Sequence, residues 1–182
     1  MAGILKVDKY QDFNGNDIMT SDGAGNITLS SNMTTAVQAV GSANTPAFFA
    51  QKNATQSPGN NAFTKITYET EVLDTNNAFA SSTFTVPSGK AGVYFIGFNK
   101  MNNKGGLTVE DYTSIYKNGS SFAGFTSFSG NQTQLRNHNI IMDLAVGDYV
   151  EIYHYGTTSD SSSASLLSGE RNSFYGYKII GA

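Results

Sequence analysis

The side chains able to do acid–base or metal chemistry are few in this sequence. The chain has 14 acidic residues, 11 lysines and arginines, two histidines and no cysteine, which excludes disulfides and thiolate metal sites. Strand alternation places His154 on the same face as Val150 and Ile152, as expected for a packed residue rather than a general base. The sequence contains no Gly-x-Ser-x-Gly elbow, phosphate loop or dinucleotide fingerprint. These patterns indicate no acyl-transfer, nucleotide or redox chemistry.

Glycan hydrolysis is the enzyme class that the acidic residues leave open. It needs two carboxylates facing each other across a cleft. The available acids are Glu69, Glu71, Asp74, Glu110, Asp111, Asp143, Asp148 and Glu151. No motif singles out a pair of them, and no loop has the ligand spacing of a helix–loop–helix calcium site. The sequence therefore predicts a protein that is not an enzyme, with no catalytic residue, metal site or cofactor.

Low charge limits the partners that this chain can have. Only 14% of the residues are charged and the net charge is −3, which does not favour nucleic acid or an anionic membrane. The N-terminus lacks the basic and apolar regions of a secretory signal, and no apolar run is long enough to span a bilayer. We therefore expect synthesis in a cytoplasm-like compartment without membrane insertion. Sparse charge fits burial in an assembly, and it fits an ordinary neutral β-domain equally well.

The order of turns and apolar segments predicts two parts, residues 1–45 and 46–182. In the first part, turn signals at 14–15, 22–23 and 25–26 separate apolar pieces too short for a core, which indicates an anchor segment of small strands. The second part predicts an antiparallel β-sandwich or jelly roll. Its predicted strands are 47–51, 65–72, 82–86, 92–99, 112–117, 121–128, 134–144, 149–155 and 174–180, with a hairpin at Asn118-Gly119 and an exposed loop over 157–165.

Three of these strands are apolar on both faces, although a sandwich strand normally has one polar face. In the strand 92–99, for example, Tyr94 and Phe98 share one face while Val93 and Phe95 share the other. One face fills the core, and we expect the other to meet a partner subunit, because aromatic residues are favoured at interfaces. A covering loop of the same chain is the alternative. The predicted interface residues are Phe48, Val93, Phe95, Tyr149, Tyr153, Tyr155, Tyr175 and Tyr177.

The second part resembles the globular head of complement component one q, within the tumour necrosis factor superfamily. The matching segments, in order, are 46–50 (PAFFA), 84–87 (FTVP), 92–98 (GVYFIGF), 115–119 (IYKNG), 144–152 (LAVGDYVEI) and 173–179 (SFYGYKI). Ile96 stands where the family motif usually has a second aromatic residue. Lys90-Ala91 resembles an insertion between Phe84 and Gly92. The resemblance covers about three-quarters of the chain. It implies a ten-stranded jelly roll, a tight homotrimer and binding of proteins or glycans without catalysis.

Residues 1–45 resemble the start of virion structural proteins of tailed bacteriophages. The matching strings are 3–8 (GILKVD), 11–12 (QD) and 17–29 (DIMTSDGAGNITL). The resemblance implies a trimeric peg on the virion surface, made in the host cytoplasm and docked to other virion proteins through residues 1–45. Such a segment spans at most about 150 Å, so we expect a capsid decoration or a short tail fibre rather than a long fibre.

The alternative function is an adhesion module that binds a host glycan or protein. The hairpin arm after Gly119 contains three phenylalanines, Phe122, Phe125 and Phe128. Aromatic rings exposed on such an arm can stack on sugars, while rings packed in the core cannot. The sequence leaves both arrangements open.

Overall fold

The structure is a computed structural model that describes residues 7–31, 33, 44–103, 108–127, 134–161 and 164–179. The chain divides into two compact units near residue 43. Within the described ranges every strand pairing is antiparallel. In the same ranges no helix is both long and apolar enough to cross a membrane.

The N-terminal unit contains a three-stranded sheet. Its strands, in spatial order, are β1 (Lys9–Gln11), β2 (Asp17–Ser21) and β3 (Ile27–Leu29). An aspartate and an asparagine four residues later close each of the two connecting turns. Asp12 accepts hydrogen bonds from the backbone and side-chain N–H groups of Asn16, and Asp22 accepts the same pair from Asn26. These hydrogen bonds hold the pKa of both carboxyls below the usual range. Because the two turns share the same set of hydrogen bonds, they repeat one local motif.

The C-terminal unit consists of two six-stranded sheets. Sheet I contains β12 (Gln134–Leu144), β9 (Gly92–Asn103), β15 (Gly169–Lys178), β4 (Ala47–Lys52) and β6 (Thr70–Asp74) in spatial order, with β14 (Ser165–Leu166) paired to β9. Sheet II contains β11 (Ser120–Ser127), β10 (Thr108–Lys117), β13 (Tyr149–Thr158), β8 (Thr83–Thr85) and β7 (Phe79–Ala80), with β5 (Thr64–Lys65) paired to β13. Successive strands switch repeatedly between the sheets, which is the connectivity of a jelly roll. The predicted all-β, antiparallel jelly-roll fold is confirmed.

The core between the sheets is rich in phenylalanine. Its centre is Phe48, whose ring centroid lies 4.6 Å from that of Phe84 and 4.8 Å from that of Phe174. Phe48 is only 2% exposed, so its predicted place at a subunit interface is wrong. Alternation along β4 points Phe48 inward and turns its neighbour Phe49 to the outside.

The predicted strand 65–72 is also wrong, because the chain changes sheets within it. Residues 64–65 pair in sheet II, and residues 70–74 pair in sheet I. The crossing segment buries both Ile66 and Tyr68 in the core. Because these residues are two positions apart, the segment has the same apolar pattern as a strand. The predicted exposed loop 157–165 begins too early. Thr157 and Thr158 continue β13, in keeping with the strand preference of β-branched residues.

The predicted hairpin at Asn118-Gly119 is confirmed. Both residues have positive φ, 52° and 78°, as a two-residue turn of the primed type requires. Asn118 also fixes the neighbouring turn, because its side chain donates to Asp148 Oδ1 at 2.7 Å and accepts from the Tyr149 N–H at 2.9 Å. The hydrogen bond from the Asn118 side chain and the ion pair with Lys117 lower the pKa of Asp148 to about 2.

Replacing Phe48 tests its place in the core. Phe48→Ala removes a buried ring from the centre of the core and should lower the free energy of unfolding by about 3–5 kcal/mol. Phe122→Ala removes a ring that is 53% exposed and should change it by about 0.5 kcal/mol or less. Denaturant unfolding at one fixed chain concentration measures both. Equal losses would show that Phe48 is not a core residue.

Candidate functional site

The outer face of sheet I carries a group of large apolar side chains, here called the aromatic patch. Its members are Phe49, Val93, Phe95, Ile141, Tyr175 and Tyr177. Strand register brings them together, since Tyr177 and Ile141 lie directly opposite Phe95 on its two sides. In the next row, Phe49 lies opposite Tyr175. The patch therefore extends across β4, β15, β9 and β12.

Ring contacts fix the shape of the aromatic patch. The ring centroid of Phe95 lies 5.3 Å from that of Tyr177 and 6.5 Å from that of Tyr175. The Tyr175 hydroxyl donates to Asn139 Oδ1 at 2.9 Å, and burial raises its pKa. The Tyr175 ring lies over Gly97, where an added Cβ would stand 2.7 Å from ring atom Cε2. Glycine therefore lets this ring lie flat on the sheet.

Two of the six patch residues, Ile141 and Tyr177, are exposed in the single chain, and the other four are partly buried. Ile141 is 65% exposed and Tyr177 is 38% exposed, and Leu73 on the edge strand β6 is 49% exposed. Contiguous exposed apolar surface of this kind marks a binding face in soluble proteins. β12 is the opposite edge strand of sheet I, and a long uncovered edge favours pairing or burial against another chain. The face has the composition of a subunit interface.

The outer face of sheet II carries a second aromatic group, here called the tyrosine cluster. Its members are Phe63, Tyr112, Tyr116, Tyr153 and Tyr155. The Phe63 ring lies 5.0 Å from that of Tyr155, and the Tyr116 ring lies 4.1 Å from that of Tyr153. The Tyr155 hydroxyl donates to Asn61 Oδ1 at 2.6 Å. Polar groups of Glu110, Ser121 and Thr126 line the shallow cleft beside the rings.

The structure does not bring the eight predicted interface residues together. Phe48 is in the core. Val93, Phe95, Tyr175 and Tyr177 lie on the aromatic patch, whereas Tyr149, Tyr153 and Tyr155 lie on the outer face of sheet II. The outer faces of the two sheets point in opposite directions, so one continuous surface cannot include both groups. For the four residues on sheet I, the interface stays a prediction.

The sequence left the three hairpin phenylalanines open between stacking on sugars and packing in the core, and the two described ones take different positions. Phe122 is exposed, but Phe125 turns inward, with its ring centroid 6.1 Å from that of Phe98 and 5.9 Å from that of His138. Phe128 lies outside the described residues. Positions 122 and 125 differ by an odd number, so alternation alone places them on opposite faces.

Sequence reasoning missed part of both surfaces. Phe49 and Ile141 each follow another large apolar residue, and only one of two adjacent strand residues can enter the core. Tyr112 and Tyr116 are four residues apart in one strand, so they share a face with each other. Phe63 comes from a loop and had no comparable signal. The predicted packing of His154 is confirmed, since it is only 1% exposed. Within the described ranges, no group of three or more potential ligands is placed to hold a metal ion.

The comparisons with known proteins concern the fold. No protein-family model and no curated protein matches this sequence. The globular domain of zebrafish complement 1qA matches with 18% identity and a TM-score of 0.56, covering 74% of this chain and 97% of that domain. The C-terminal unit has the complement-head fold. Murine APRIL has 12% identity and a TM-score of 0.54, with coverage of 73% and 98%. Eiger, a TNF protein of S. frugiperda, has 11% identity and a TM-score of 0.56, with coverage of 75% and 93%.

Introducing a charge into the aromatic patch tests whether it joins subunits. Ile141→Asp should dissociate the assembly to single chains, because a buried unpaired carboxylate is costly, while the exposed position leaves the fold intact. Phe122→Asp places the same charge on sheet II and should leave the assembly unchanged. Light scattering on a sizing column gives the mass of each. An Ile141→Asp protein with the unaltered mass would exclude the patch as the interface.

Proposed function

We propose that this chain is a non-enzymatic homotrimer that assembles through the aromatic patch and serves as a peg on the surface of a tailed-bacteriophage particle. The proposal rests on the apolar outer face of sheet I, where Ile141 and Tyr177 are exposed in the described part of the C-terminal unit. A second copy of the chain is the occupant that this face fits, because aromatic-rich surfaces with few charges are typical of subunit interfaces. Neutral groups such as Asn139 and Asn99 lie beside its rings, and the carboxylate of Asp143 lies at its margin, opposite Val93.

Closure of a ring limits which surfaces meet. In a threefold ring each subunit is rotated by a third of a circle relative to the next, so the two contact surfaces of a subunit cannot point in opposite directions. The outer faces of sheets I and II are opposite and would give an open filament. We therefore infer that the aromatic patch meets an edge of the neighbouring sandwich. The edge strand β12, which carries exposed Leu135 outside the patch, is the candidate.

The N-terminal unit supplies the docking element in this proposal. Tyr10, Met19 and Leu29 lie opposite one another in register and form one face of its sheet. Ile27 is on the same face and is 62% exposed. The other face has Lys9, Thr20 and Thr28 in register. An apolar face on so small a sheet suits a groove on another virion protein, and it agrees with the resemblance of residues 1–45 to phage virion proteins.

The virion role is tested by incorporation into particles. Particles that lack this protein should take up the purified full chain in co-sedimentation. Tyr10→Asp should lose uptake, because it places a charge on the apolar face of the N-terminal sheet, while its solution mass stays unchanged. Thr28→Asp on the polar face is the matched control and should still be taken up. Failure of the unaltered chain to bind capsids or tails would contradict the proposal.

Host glycan binding is the second candidate function, and the tyrosine cluster is the observation that favours it. Sugars bind to exposed aromatic faces flanked by hydrogen-bonding groups. Phe63 offers such a face, and Glu110 and Asn61 provide acceptors beside it. Because the cluster is on the opposite side of the sandwich from the aromatic patch, the trimer can form and still present it to solvent.

A glycan array tests this second function. If the full chain binds a glycan, Phe63→Ala should abolish binding through loss of the stacking face, and the solution mass should not change. Phe122→Ala removes an equally exposed ring elsewhere on sheet II and should have no effect. Binding that survives Phe63→Ala, or is lost equally in both variants, would reject the tyrosine cluster as the site.

A further inference from the structure

A buried polar cluster lies between the two sheets at the end of the core. Its members are Lys100, Asn102, Asp111, Thr113 and His154, each no more than 1% exposed. Lys100 and Asn102 come from β9 in sheet I, and the other three come from β10 and β13 in sheet II. The surfaces proposed for assembly and binding do not use this cluster.

The cluster places an amine, a carboxyl group and an imidazole in mutual contact. Lys100 Nζ donates a hydrogen bond to Asp111 Oδ1. The same amine nitrogen lies 2.9 Å from Thr113 Oγ1 and 3.2 Å from His154 Nδ1. The same ring nitrogen lies 3.3 Å from Asp111 Oδ1. Asn102 Nδ2 lies 3.3 Å from the second carboxylate oxygen of Asp111. One nitrogen of His154 is therefore within reach of both reacting groups.

An ion pair at this position is costly. Removing an ammonium and a carboxylate from water carries a free-energy penalty comparable to what their mutual attraction returns. A neutral amide made from the same two side chains would remove both charges and keep one N–H donor and one carbonyl acceptor for the surrounding polar atoms. The cluster has the parts needed to make one.

We propose that Lys100 and Asp111 condense to form an intramolecular amide bond that ties sheet I to sheet II. His154 Nδ1 first gives its proton to the Asp111 carboxylate and then takes a proton from the Lys100 ammonium. The free amine then attacks Asp111 Cγ, and Asn102 donates a hydrogen bond to the oxygen that becomes negative. The amine loses a second proton to the departing hydroxyl, the C–O bond breaks, and one water molecule leaves. No oxidant or cofactor is consumed.

Two physical effects favour this reaction. Holding the amine against the carboxyl group makes the step intramolecular, and effective concentrations in well-oriented systems reach about 10⁵ M or more. The burial of the cluster also favours the neutral amide over the ion pair. Burial by itself raises the pKa of Asp111, but the bond from His154 and the charge of Lys100 outweigh this and lower it. The carboxylate is therefore ionised at the start, and proton delivery by His154 is a required step.

Mass spectrometry of the denatured full-length chain tests the proposal. An amide bond survives denaturation and an ion pair does not, so the expected mass is one water molecule below that of the sequence. In a tryptic digest, cleavage after Lys100 should be lost, and residues 91–104 should appear joined to residues 105–117. Lys100→Arg should restore the full mass, and His154→Gln should slow the loss of water after synthesis.

The unaltered chain decides the outcome even if the variants fold poorly. A full sequence mass in the folded protein would overturn the proposal and leave an ordinary buried ion pair. A loss of water that peptide mapping places at Asp22-Gly23 would overturn it as well, because aspartyl-glycine sequences lose water by cyclising on their own backbone.

Discussion

Side chains of a β-strand alternate between two faces, and a two-layer sandwich can bury only one face of each sheet. In sheet I both faces of β9 and β15 are apolar. The inner set, which includes Phe98 and Phe174, fills the core, and the outer set is left as the aromatic patch. This constraint makes self-association the natural completion of the fold, because the same strands that stabilise one subunit also present its contact surface.

The sandwich also separates tasks in space. The outer face of sheet I is the surface proposed for assembly, the outer face of sheet II carries the tyrosine cluster, and the N-terminal sheet has its own apolar face. In the interior, a phenylalanine-rich core occupies one region and the cluster around Lys100 occupies another. An amide between Lys100 and Asp111 would add a covalent tie between the two layers, which would suit the proposed position on the outside of a particle.

The jelly roll could be predicted from sequence because turn signals and strand patterns recur along the C-terminal unit, and because the aromatic segments resemble a known head domain. Alternation also placed Val93 and Phe95 on the outer face. It failed at Phe48, where two adjacent phenylalanines compete for the core and sequence does not say which one enters. The tyrosine cluster depends on Phe63, which a loop brings over β10 and β13, and the buried cluster depends on a contact between the two sheets. The hydrophobic pattern along a single strand predicts neither the tyrosine cluster nor the buried cluster, because both depend on contacts between separate segments.

If the outer face of sheet I drives assembly, the solution mass of two proteins will show it. The full chain and a version starting at Asn44 are compared by light scattering on a sizing column. We expect about three times 19.4 kDa for the full chain and a trimer of the shorter chain as well. A trimer that becomes monomeric on truncation would assign assembly to the N-terminal unit, and two monomers would contradict the trimeric peg altogether.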